Sequence, residues 1–204
     1  QALTTIKSQE SLEQNENLSI AVADQLSENV VGTFSLPYSV VPEVLINGQE
    51  YTVPYVTEEP SVVAAASFAS KIIKRAGGFT AQVHQRQMIG QVALYQVPDR
   101  DKACQAILSQ KAELLEQANQ AYPSIVKRGG GARELTVEKI SGEADFLVVY
   151  LHVDTQEAMG ANMLNTMLEA LKPSIEALSQ GQSLMGILSN YATDSLVTAT
   201  CRIA

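Results

Sequence analysis

The sequence predicts an α+β protein built in two parts, on three observations. Of its 204 residues, 46% are hydrophobic, enough to bury a core in one large domain or two small ones. Apolar residues recur with helical spacing in some segments and alternate as in strands in others. From residue 82 to residue 188 these segments follow the order β-α-β-β-α-β, the split arrangement of a ferredoxin-like sheet.

In chain order, residues 11–27 suit a surface helix, with Leu12, Ile20, Ala21, Ala23 and Leu26 set among acids and amides. Residues 34–36, 43–46 and 51–56 read as short strands, and Asn47-Gly48 supplies a hairpin turn because both residues tolerate positive φ. Pro60 opens a helix where no N–H is needed; Val62, Val63, Ala66, Ala69, Ile72 and Ile73 form its apolar face, and Gly77-Gly78 ends it. Residues 82–97 are strand-rich and 101–120 helical, while 134–140 and 146–153 form a hairpin. A second helix covers 163–178, with Met163, Leu164, Met167, Leu168, Leu171, Ile175 and Leu178 on one side, and 183–188 is the last strand. The stripe of Met159, Met163 and Met167 suits core packing, with a cofactor box as the alternative.

Composition narrows the function. Fourteen Lys and Arg against twenty-two Asp and Glu give a net charge of -8, which argues against nonspecific nucleic-acid binding. No run approaches the length of a membrane span and the start lacks a signal-peptide layout, so a cytoplasmic protein without membrane attachment is expected. Cys104 and Cys201 have no neighbours at metal-ligand spacing; both are expected to be buried thiols, and no metal is expected. A start without Met and an end inside a β-type run read as a fragment.

Three constellations can carry chemistry. In Thr57-Glu58-Glu59-Pro60-Ser61, two carboxylates and hydroxyls stand at a helix start, where they can cap free N–H groups or exchange protons with a substrate oxygen. Glu157-Ala158-Met159-Gly160-Ala161-Asn162 is a small-residue loop running into a helix, a place where backbone N–H groups attract phosphate. Lys127-Arg128-Gly129-Gly130-Gly131-Ala132-Arg133 is either a phosphate-binding loop or a flexible basic turn. His84 and His152 lack catalytic partners at suggestive spacing and read as structural.

Read together, these segments resemble the hydroxymethylglutaryl-CoA reductases, and specifically the bacterial class II branch. Glu28-Asn29-Val30-Val31-Gly32 is similar to that family's ENVIG motif, residues 53–67 to its glutamate segment, and residues 157–162 to its DAMGAN cofactor motif. Gly129-Gly130-Gly131 and Ile187-Leu188-Ser189-Asn190 occur in the expected order. The resemblance implies reduction of hydroxymethylglutaryl-CoA to mevalonate and CoA with two nicotinamide hydrides. It also implies a homodimer whose active site lies at the subunit interface. A large substrate and dimerisation domain would occupy residues 1–85 and return at 194–204, with an inserted ferredoxin-like cofactor domain at 86–193.

By position, Glu59 matches the family's catalytic glutamate, and Ser61 a contact to the hydroxymethylglutaryl carboxylate. Met159, Gly160, Ala161 and Asn162 match the cofactor loop, and Asn190 a further cofactor contact. Glu157 stands in the place of the motif's Asp, one methylene longer. Tyr122 stands where NAD-preferring relatives carry an acid, which removes repulsion toward a 2′-phosphate; NADPH rather than NADH is expected, with Ser124 and Arg128 as phosphate contacts. The family's lysine, aspartate and histidine would lie beyond Ala204, so this span alone is expected to show no turnover. The rival reading is a noncatalytic ferredoxin-like ligand-binding module.

Overall fold

The structure, a computed structural model, describes residues 18–142 and 145–203. Its internal contacts divide it into two compact units, one running to Gln82 and resuming at Ala199, the other Val83–Thr198.

In the first unit, helix α1 (Ile20–Leu26) is capped by Ser19, whose hydroxyl accepts the Val22 N–H at 3.4 Å. The helix predicted over 11–27 thus begins at Ile20 within the described residues, and its part over 11–17 lies outside them. Strands β1 (Tyr38–Ile46) and β2 (Gln49–Val56) form an antiparallel hairpin. Its turn is the expected pair, Asn47 at φ 50° and Gly48 at φ 80°. A bulge between Val41 and Val44 absorbs Pro42, which has no N–H to give the ladder, and places Glu43 at φ 62°. The strand predicted at 34–36 is absent: this stretch has no strand neighbour to bond with, and Phe34 is exposed.

Helix α2 (Val62–Arg75) packs on the hairpin, and Lys74 Nζ reaches Glu50 at 2.8 Å and Glu43 at 3.5 Å. Gly77 and Gly78 end it as predicted, the Gly78 N–H donating to the Ile73 carbonyl at 2.8 Å. At Gly78 a Cβ would meet Leu45 Cγ at 2.7 Å, so the residue must be small as well as left-handed.

Strand β3 (Thr80–Val83) follows, and then β4 (Met88–Tyr95). The strand-rich stretch 82–97 has a break at 84–87, where the backbone bonds elsewhere: His84 N–H to the Leu196 carbonyl and Gln87 N–H to that of Asp194. Helices α3 (Arg100–Ser109), α4 (Lys111–Ala121) and α5 (Pro123–Lys127) come next. Strands β5 (Gly131–Ile140) and β6 (Phe146–Asp154), helix α6 (Ala161–Ser179) and strand β7 (Gln182–Leu188) complete the second layer system. Strand β8 (Val197–Thr200) pairs with β3.

The single helix predicted over 101–120 is two helices. At Gln110 the backbone leaves helical geometry (φ −104°, ψ 17°), and the Ser109 hydroxyl bonds the Ala106 carbonyl, a local bond that competes with the helix ladder.

Strands β4 to β7 form one sheet of order β5-β6-β4-β7, antiparallel throughout. One face is closed by α3, α4 and α6. Val92, Leu94, Leu135, Val149, Leu151 and Val153 from the strands meet Ile107, Leu114 and Ala118 from the first two helices. From α6 come Met163, Leu164, Met167, Leu168, Leu171 and Ile175, all buried as the period predicts, with Leu178 packed at the margin. Gly90 lets α6 sit close to the sheet, since a Cβ there would lie 2.7 Å from Leu168 Cδ1. Met159 departs from the core expectation: it lies on the loop before α6 and is 72% exposed. Both thiols do too, Cys104 being half-buried and Cys201 exposed beyond the end of β8, where no layer covers it.

Candidate functional site

Antiparallel pairing decides what gathers at one end of the large sheet. The register sets Met88 opposite Val153, Gly131 opposite Asp154, and Gly90 opposite Leu188. The start of β4, the end of β6, the start of β5 and the end of β7 therefore share an edge. With them come the 155–160 loop, the basic 127–133 segment and Ser189-Asn190.

The 155–160 loop is ordered by its own backbone. Gln156 is left-handed at φ 52°, and both its N–H and its Nε2 donate to the Asp154 carboxylate, at 3.0 and 2.8 Å. Ala158 N–H bonds the buried Thr155 carbonyl at 3.0 Å. Gly160 is left-handed at φ 88°, and a Cβ there would meet Met88 Sδ at 2.6 Å and Thr155 Cγ2 at 2.7 Å. As the N-cap of the 19-residue α6, Gly160 offers no side-chain oxygen, so the first-turn N–H groups carry no side-chain cap. Beside them, Met159 and Asn162 are exposed and Ala161 half-buried.

The basic segment is a packed turn and not a flexible one. A Cβ on Gly130 would meet the Asp154 carbonyl at 2.4 Å, and one on Gly131 the Asn119 Oδ1 at 2.5 Å. Asn119 clasps Ala132 through both backbone groups, accepting its N–H at 2.8 Å. Arg133 is occupied, donating to the Gly129 carbonyl and lying 3.6 Å from Asp154. Arg128 is exposed and makes no side-chain bond among the described residues; Ser124 on α5 is exposed too, and Tyr122 packs against the core.

Asn190 is exposed in a cleft of about 600 Å³ with Gln91, Ile187, Leu188, Ser189 and Tyr191. Asn165 of α6 fixes this edge by accepting the Leu188 N–H at 3.0 Å. Burial, then the Glu138 carboxylate, raises the nearby Tyr150 hydroxyl above its ordinary range.

Two features were beyond sequence reasoning, because they join residues far apart in the chain. Arg86 donates through Nη2 to the Gln156 carbonyl at 2.5 Å and through Nη1 to Glu157 at 3.0 Å. The Glu157 carboxylate holds Arg86 above the usual arginine range. His152 pairs through Nδ1 with Asp194 at 2.6 Å and through Nε2 with the Thr136 hydroxyl at 3.3 Å. His84 pairs with the Thr198 hydroxyl at 2.8 Å.

In the first unit, α2 lacks the side-chain cap bond expected from Thr57 or Ser61. Ser61 is left-handed at φ 78°, whereas a capping residue sits in the β region, and its hydroxyl makes no cap bond. The helix starts at Val62, its N–H bonding the Glu59 carbonyl at 3.2 Å. Thr57 is left-handed as well, at φ 60°, a costly conformation for a β-branched residue and one that clusters at functional sites. The Glu59 side chain is exposed and makes no bond among the described residues.

Among the described residues no group of three or more His, Cys, Asp or Glu could hold a metal ion, and no helix is long and apolar enough to cross a membrane.

A family model described as hydroxymethylglutaryl-coenzyme A reductase matches residues 1–204. The 3-hydroxy-3-methylglutaryl-coenzyme A reductase of Archaeoglobus fulgidus is 40% identical over 188 residues, 91% of this chain and 43% of that protein. A probable reductase of the same description from Borreliella burgdorferi is 31% identical over 163 residues, covering 80% of this chain and 37% of its own. A solved structure of the class II enzyme of Streptococcus pneumoniae, bound to NADPH in open conformations, superposes with a TM-score of 0.95 at 81% identity. That match covers 98% of this chain and 55% of the other. The chain thus spans less than half the length of these two curated relatives.

Proposed function

The chain belongs to the hydroxymethylglutaryl-coenzyme A reductase family, and from that premise we propose that it is part of an NADPH-dependent oxidoreductase converting 3-hydroxy-3-methylglutaryl-CoA to mevalonate and CoA. The observation that carries the reading is the left-handed, sterically closed Gly160 at the head of α6, with uncapped N–H groups and a neighbouring edge that bears Asn190.

In this reading Val83–Thr198 is the inserted ferredoxin-like cofactor domain, and the other unit is the first part of the substrate and dimerisation domain. The fit to a nicotinamide dinucleotide rests on donors and space. The α6 N-terminus favours the pyrophosphate, Met159, Ala161 and Asn162 border it, and Asn190 lines the adjoining cleft. The cofactor, when bound, supplies the hydrides. Arg128, which makes no side-chain bond among the described residues, and Ser124 recognise the 2′-phosphate, and Tyr122 in place of an acid leaves that phosphate unopposed.

Glu59 moves a proton to the aldehyde-level oxygen, and Ser61 donates to the carboxylate of the hydroxymethylglutaryl group. In this reading the Glu59 carboxyl is the proton donor, and a second subunit packed over it would exclude water from the step. This makes the functional protein a homodimer, acting in the cytoplasm. The test is equilibrium titration with NADPH and NADH. Tighter binding of NADPH is expected, and a clear preference for NADH would reject the assignment of Tyr122, Ser124 and Arg128.

A further inference from the structure

We propose that Arg86 is the positioning residue of the cofactor loop, and that Glu157 is the length it is in order to meet it. The proposal rests on the reading of residues 157–162 as that loop.

The base of Arg86 is fixed. Its neighbour Gln87 gives its N–H to the Asp194 carbonyl at 2.9 Å and takes the Ser195 hydroxyl on its own carbonyl at 2.8 Å. From this anchored stretch the guanidinium forks onto two successive residues, the Gln156 carbonyl and the Glu157 carboxylate. Gln156 is the residue whose left-handed backbone turns the chain toward Gly160. Asp154 holds that turn from the N–H side and Arg86 from the carbonyl side, so its two peptide planes are fixed from opposite directions. The orientation set there is inherited by Met159, Ala161 and Asn162.

The second bond explains the departure from the family motif. An Asp at position 157 would be shorter by one carbon–carbon bond of about 1.5 Å, and the 3.0 Å contact to Nη1 would open unless the arginine moved. The side chains are 58% and 91% exposed, so the ion pair by itself contributes little to folding. Its work is orientation of the loop, which appears in cofactor affinity.

The experiment uses the full-length protein carrying this span, with NADPH as the probe. Arg86→Met is expected to raise both Kd and KM for NADPH about tenfold, the scale of losing charge-assisted bonds from one site. Melting temperature and the KM for the acyl-CoA substrate should stay as they are. Arg86→Lys should recover only part of the affinity, because an ammonium cannot reproduce the fork. Glu157→Gln should cost less, and adding it to Arg86→Met should cost nothing more. Unchanged NADPH binding in Arg86→Met, additive losses in the double variant, or a rise in acyl-CoA KM instead would each overturn the positioning role. Failure of the wild-type protein to bind NADPH would overturn the cofactor reading itself.

Discussion

At position 160 no side chain fits. The sequence shows a glycine in a run of small residues, and that much was legible; the reason for it is spatial. Met88 at the start of β4 and Thr155 just past the end of β6 close on the place where a Cβ would be, while the backbone is left-handed. Gly160→Ala should therefore cost about 2 kcal/mol of stability, from left-handed strain together with overpacking, and weaken NADPH binding alongside. Urea denaturation and cofactor titration measure the two effects, and an unchanged midpoint would show that the loop relaxes freely. Met159 illustrates the opposite case. Its spacing with Met163 and Met167 suggests a common core face, yet Gly160 breaks the helix between them and leaves Met159 72% exposed. Arg86 and Asp194 gave no signal at all, since their partners, the loop residues Gln156 and Glu157 and the β6 residue His152, lie far along the chain and only the fold brings them alongside.

Elements with strong periodicity were legible almost to the residue. The seven apolar positions of α6 define one face, and the structure buries six of them against the sheet. Leu168 is fully buried over Gly90, so Leu168→Ala should destabilise by about 2–5 kcal/mol. What periodicity missed are the breaks, at Gln110 and at 84–87, where a side-chain bond or a distant backbone partner outcompetes the local ladder. The far end of α6 carries a pH-dependent tie. Glu176 Oε1 accepts the Ser183 hydroxyl at 2.6 Å and the Ser183 N–H at 2.8 Å, and these bonds hold its carboxyl below the usual range. A carboxyl lowered in the folded state contributes stability that is present above its unfolded value and lost as pH falls through the lowered one. Unfolding at neutral and at acidic pH should thus show a smaller acid loss in Glu176→Gln than in the wild type.

At the scale of the whole molecule, the mixture of helices and strands was legible because each segment keeps its own period, whereas the sheet order β5-β6-β4-β7 is set by pairing between segments distant in the chain. The chemistry proposed for residues 57–61 rests on resemblance, because the residues by themselves favoured capping. The structure shows no side-chain cap bond at Ser61, which is left-handed. Cofactor choice belongs to this scale too, since α5, α6 and the β7 edge must act together. Tyr122→Glu should shift preference toward NADH by restoring an acid opposite the 2′ position, checked by comparing kcat/KM for the two cofactors. The central claim is that Glu59 delivers a proton in a reduction driven by a cofactor held at residues 159–162. It is tested most directly by NADPH consumption with 3-hydroxy-3-methylglutaryl-CoA in the full-length Glu59→Gln protein. A fall in kcat of about a hundredfold or more with NADPH affinity intact is the expected result, and a wild-type rate would contradict it.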